Sequence, residues 1–98
     1  MGVRSRSAVT GAQFGLAVSS AVVTLTIPRN AMTAELFVRT AAVVFTRDET
    51  DPTATKGTQA NVGDIILLNS RDELDKFKVI RASADATLDI EYFTDISG

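Results

Sequence analysis

Two groups of side chains in this 98-residue sequence could carry chemistry, and both are acidic. Asp48, Glu49 and Asp51 stand together in one polar segment, with Asp64 further along. An all-oxygen set of this kind suits calcium or magnesium. Their spacing lacks the alternating acids, central Gly and distal Glu of an EF-hand, so the sequence assigns them as solvated loop carboxylates and no metal is expected. Asp72, Glu73 and Asp75, beside Arg71, Lys76 and Lys78, form the second group. Paired carboxylates for glycoside hydrolysis must face each other across a substrate cleft, which a chain of this length can hardly build once it has formed a core. On a single helical turn they read as an exposed side whose first acids complement the helix dipole. No catalytic residue is assigned, and the chain is not expected to be an enzyme.

Composition narrows the chemistry further. With no Cys and no His, disulfides, thiolate nucleophiles, Cys/His zinc sites and histidine-based triads are excluded. No cofactor is expected. The net charge is -2, and no Lys/Arg cluster with interleaved aromatics occurs, so nucleic acid is disfavoured as a partner. The apolar stretch from Ala8 to Leu25 is broken by Gly11, Gln13, Gly15, Ser19 and Ser20, too often for a signal peptide or a membrane span. Arg6 stands where a myristoylation site needs Ser or Thr. Charge is uneven along the chain: residues 1–47 hold five Arg and one acid, while residues 48–98 hold five bases and eleven acids. That split suggests either a solvated surface or a basic N-terminal arm that meets an acidic face of a neighbour.

The elements that must position these groups are strands. Val, Ile and Thr supply 28 of the 98 residues, and their branched Cβ atoms favour a pleated backbone. Val23, Leu25 and Ile27 alternate with Val22, Thr24 and Thr26 up to Pro28, which predicts a strand followed by a turn at Arg29 and Asn30. Thr33–Thr40 places Ala34, Leu36 and Val38 on one face and Glu35, Phe37 and Arg39 on the other, and Ala42–Arg47 follows directly. Asp64–Asn69 reads as a short strand covered on both sides. Phe77–Ala82 and Thr87–Phe93 complete the set, the last with Leu88, Ile90 and Tyr92 opposite Asp89, Glu91 and Phe93. Only Arg71–Lys76 looks helical, capped by Ser70 or Asp72. Residues 48–58, with Pro52 and Gly57, form a long polar loop.

The expected fold is a small all-β antiparallel sandwich, jelly-roll or immunoglobulin-like, over residues 19–98, with one short helical turn and a partly extended N-terminal arm over residues 1–18, a candidate partner contact in which residues 8–18 offer one or two further strands. Tyr92 and Phe93 are adjacent and point to opposite faces, so one belongs to the core. The other, like Phe37 and Phe45, is second-layer core or a contact with another subunit. The segment Gln13–Val23 carries no charge and is expected to be covered, because an exposed uncharged strand invites aggregation.

Residues 23–93 resemble a family of small tailed-phage virion proteins. The matching pieces are Leu25-Thr26-Ile27-Pro28 with Ala31, Val44-Phe45-Thr46-Arg47-Asp48, Pro52-Thr53-Ala54-Thr55-Lys56-Gly57, Gly63-Asp64 before an apolar strand, Leu74 with Phe77, Ile80 and Ala82, and Ala86-Thr87-Leu88 leading to Tyr92. Where such sequences carry an Asp-Gly turn, this chain has Asp48-Glu49-Thr50-Asp51. The resemblance implies a virion component at the capsid surface, made in the host cytoplasm: a capsid decoration or cement protein, or a part of a head or tail fibre. It further implies contact with the major capsid protein and a homo-oligomer, a dimer or trimer suited to icosahedral two-fold or three-fold sites. The candidate partner contacts are Arg4, Arg6, Phe14, Leu16, Val18 and Phe37. The candidate loop contacts are Asp48, Asp51 and Thr53, which would form the mouth of a glycan-binding module in the alternative reading. Neither membrane nor nucleic acid is expected as a partner.

Overall fold

A computed structural model describes residues 9–94. The strands are β1 (Val9–Val18), β2 (Thr33–Arg39), β3 (Val43–Thr46), β4 (Thr58–Ala60), β5 (Ile65–Leu68), β6 (Lys78–Arg81) and β7 (Ala86–Phe93), with one helix, α1 (Arg71–Lys76), before β6. They form two antiparallel sheets, ordered β1-β7-β2-β5 and β4-β3-β6, that make a small all-β sandwich.

The period of two in the sequence becomes the core. In β2, Ala34, Leu36 and Val38 are buried, and in β7, Leu88, Ile90 and Tyr92 are buried. Ile66 and Leu68 from β5 join them, and Val43, Phe45, Ala60 and Val79 of the second sheet close the other side. Leu74 of α1 and Phe77 after it are fully enclosed, Phe77 against Phe45 with ring centroids 5.6 Å apart. Each large side chain hidden this way contributes about 1.5–3 kcal/mol. Tyr92 belongs to the core cluster; Phe93, on the opposite face of β7, is also buried but lies outside that cluster.

Three expectations are corrected. The segment set apart as an arm over residues 1–18 is not separate from the domain: from Val9 onward it is the strand offered there, β1, which pairs with β7 from Val9↔Phe93 to Val18↔Ala86. Residues 1–8, Arg4 and Arg6 among them, lie outside the described residues. Residues 22–27 form no strand: Val23 alone exchanges hydrogen bonds with Val79, at 2.9 and 3.0 Å. Their ends join β1 and β2, which flank β7 in one sheet, so the segment must step around β7 and leans on β6 of the other sheet instead of staying in register. Its alternation survives as packing, with Val23, Leu25 and Ile27 against the core. Finally, β5 is an edge strand covered on one side only: Ile65 and Leu67 are 53% and 47% exposed.

The 48–58 segment is a loop as far as Gly57, but Thr58 begins β4, and a tight turn inside it pairs Thr53 with Lys56. Gly57 has φ 128°, and a Cβ there would lie 2.8 Å from the Phe45 carbonyl oxygen. The backbones approach too closely for any other residue. Ser70 caps α1, its Oγ accepting from the Glu73 N–H, while Glu73 Oε1 accepts from the Asn69 N–H. This reciprocal arrangement approximates a capping box.

Candidate functional site

The four-stranded sheet has an outer face that faces away from the core, and its register defines the rows of side chains there. One row runs Ala12, Glu91, Glu35, Leu67 across β1, β7, β2 and β5; the next runs Asp89, Phe37, Ile65. At the β1 end of that second row the strand bulges: Gly15 takes φ 71° and donates its N–H to Asp89 Oδ1 at 2.8 Å. The extra residue re-aims the strand, and Phe14 beside it is 69% exposed. Asp89 also binds Arg39 Nε at 2.6 Å. The face therefore combines Phe14, Phe37, Ile65 and Leu67 with a pair of glutamates set directly opposite each other.

Of the expected partner contacts, Phe14 is exposed and Phe37 is half-buried on this outer face. Leu16 is half-buried and packs against the core, and Val18 is 1% exposed. Val18 is a core residue rather than an exposed contact, because the strand alternation turns it inward opposite Ala86. Ile65 and Leu67, which complete the apolar group, were missed. Their unbroken Ile-Ile-Leu-Leu run reads as a strand buried on both sides, and only the sheet order reveals the open one.

The acids hold no common ligand position. Asp48 accepts the Thr50 N–H at 3.1 Å, a bond that keeps its carboxyl below the ordinary value. Asp51 pairs with Lys78 Nζ at 2.9 Å, which lowers the carboxyl and raises the amine. Asp64 accepts the Asn61 N–H. No group of three or more acids that could hold a metal occurs among the described residues. On α1, Asp72 pairs with Lys76 and Asp75 with Arg71, so these carboxylates face no cleft and support the helix's own exposed side.

An open recess of about 320 Å³ lies at the β3–β4 hairpin, lined by Phe45, Thr46, Arg47, Asp48, Gly57 and Thr58. Asp48 reaches it, but Asp51 and Thr53 do not line it, so the expected loop contacts are not brought together. Arg47 is the residue that sequence reasoning undervalued. Its guanidinium lies 5.1 Å from the Phe45 ring centroid and reaches the Leu67 carbonyl at 3.4 Å. Two further polar residues hold the frame. Arg71 Nη1 donates to the carbonyls of Pro28, Arg29 and Ala31, and Gln13 Oε1 accepts from the Tyr92 hydroxyl at 3.2 Å.

Compared with known proteins, the chain matches no family model, no curated protein and no solved structure. No helix among the described residues is long and apolar enough to cross a membrane.

Proposed function

We propose that this chain is a non-enzymatic structural protein of a virion: a capsid decoration or cement protein that oligomerises and binds across neighbouring major capsid subunits to stabilise the shell. The observation that carries the reading is the outer sheet face, where Phe14, Phe37, Ile65 and Leu67 offer apolar surface on a domain of only 98 residues. Exposed apolar side chains gathered on one sheet face mark contact with other proteins. The resemblance of residues 23–93 to small virion proteins supplies the setting. Asp51, Asp64, Asp72, Glu73 and Asp75 are each used in a local turn, cap or ion pair.

The test is to add purified protein to particles that lack it and to measure bound copies and resistance to heat. Saturation at on the order of hundreds of copies, in register with a shell lattice, is the expected result. A handful of copies would move the protein to the neck, tail or fibre, and no binding would end the proposal.

The recess beside Arg47 and Asp48 favours one second reading, a fibre or attachment module that takes a glycan there. Adsorption of the isolated protein to host cells, lost on Asp48→Ala, would establish it.

A further inference from the structure

A sheet edge with unused hydrogen-bonding groups is a template for another strand, and folded proteins blunt such edges. Of the four sheet edges among the described residues, three are blunted. β1 shifts register twice along β7, β4 has only three residues, and β6 carries Lys78 and Arg81 and is bonded on its outer side by Val23. The β5 edge is not. Its Ile-Ile-Leu-Leu run has no charge, no Pro and an unbroken register against β2.

The ladder fixes which backbone groups of β5 are left over. Val38 donates its N–H to the Asp64 carbonyl at 3.1 Å, so Asp64 and, by alternation, Ile66 and Leu68 turn toward β2. Ile65 and Leu67 therefore aim their N–H and C=O away from the sheet. The Leu67 carbonyl agrees, since Arg47 Nη2 reaches it at 3.4 Å from just past β3. Symmetry and charge then select the strand that fits. Turned antiparallel about a two-fold axis at Ile66, a second copy sets its Leu67 opposite Ile65 and its Ile65 opposite Leu67, and each of these pairs can exchange two N–H···O bonds. Ile65 and Leu67, both exposed on the outer face, gain apolar neighbours across the seam. On the other face Asp64 is in line with Ile66 and Leu68, the side from which Arg47 arrives. The same axis therefore carries Arg47 of each copy, held at its own Leu67, to the Ile65 and Asp64 of the other. A second copy thus answers both the bare backbone groups and the charges beside them.

We propose that two copies join by antiparallel pairing of their β5 edges about Ile66, which extends the four-stranded sheet into one of eight, with Arg47 of each copy beside Asp64 of the other. This rests on the oligomerisation in the proposed function and names its contact. Sedimentation velocity of the full-length protein tests it, from micromolar to millimolar concentration, because so short an edge pairs weakly. Leu67→Pro removes an outward N–H that the single copy does not use, and proline is tolerated on an edge in that position. It should keep the strand signature in circular dichroism and stay monomeric where the wild type associates. Charge reversal checks the register. Arg47→Asp and Asp64→Arg should each dissociate about fivefold more readily or more, as expected for two exposed ion pairs. An equimolar mixture of these two variants should associate again, since both pairs are then restored with reversed sign. That recovery also shows that both variants are folded. Arg47 and Asp64 lie away from the outer face, so their effect separates edge pairing from a contact through that face. A wild type that stays monomeric, a Leu67→Pro protein that associates like the wild type, or charge variants that do not recover on mixing would each overturn the proposal. Particle binding is measured alongside: decoration by a wild type that never self-associates refutes the edge pairing alone, and a wild type that pairs as described but never binds particles refutes the virion reading alone.

Discussion

Thr40 and Gly57 hold opposite kinds of backbone conflict, and they predict opposite signs. Thr40 sits at φ 77° between β2 and β3, where the chain turns from one sheet to the other. For a side chain with a branched Cβ this region costs about 1–2 kcal/mol. Thr40→Gly should raise stability by up to about 1 kcal/mol, the gain being cut by the extra freedom of Gly in the unfolded chain and by loss of the Thr87 hydroxyl contact. Gly57→Ala should lower it by at least about 1–3 kcal/mol, since its Cβ would strike the backbone of β3. Denaturant midpoints at neutral pH check both. Tyr92 makes a pH prediction. Burial pushes its hydroxyl up to about 12 from an ordinary 10.0. A group whose folded value is raised lends stability that is complete below its unfolded value and is lost as pH climbs toward the folded one. Stability should thus decline between pH 10 and about 12, and Tyr92→Phe should decline less over that range. The chain has one Tyr and no Trp, so phenolate absorbance reports this residue alone, appearing in step with unfolding.

At the scale of elements, strands with clean alternation were legible and strands defined by their neighbours were not. Thr33–Arg39 and Ala86–Phe93 alternate apolar with polar residues, and both faces of each were readable. The helix was readable because Ser70, the first-turn acids and Leu74 agree. By contrast, β4 is only Thr-Gln-Ala, with no hydrophobic pattern, and exists because the Gly57 crossing brings it alongside β3. Residues 22–27 alternate as a strand does, but topology carries them between sheets. The outer face was half legible: Phe14 and Phe37 stand out as unaccounted aromatics, whereas Ile65 and Leu67 depend on β5 being at an edge. The status of β1 has a direct consequence for truncation. Removing residues 1–18 deletes a strand, the Val18 and Leu16 packing and the Gln13 bond to Tyr92, and it bares the edge of β7. That protein should fail to fold or should aggregate. Removing residues 1–8 leaves every strand of the described residues in place and should keep the strand signature in circular dichroism, so only this shorter deletion can report on partner contact.

At the scale of the whole molecule, the charge split along the chain does not become two charged faces. β2, from the basic half, lies between β7 and β5 from the acidic half, and Arg39 meets Asp89 across that boundary. What the fold concentrates instead is apolar surface on one side of one sheet, around two glutamates. A domain this small buries a modest share of its surface, so covering that face with other copies would add to the stability of each. Ligation of the folded state by copies of itself shifts unfolding by mass action. The denaturant midpoint of the wild type should therefore rise with protein concentration across the micromolar range. Phe14→Ser, at a residue 69% exposed, should leave the midpoint at the lowest concentration within about 0.5 kcal/mol of wild type and should flatten its rise. A wild-type midpoint that is independent of concentration, with sedimentation as a single small species, would mean that copies of this chain do not cover the face. The shell, and not the oligomer, would then have to.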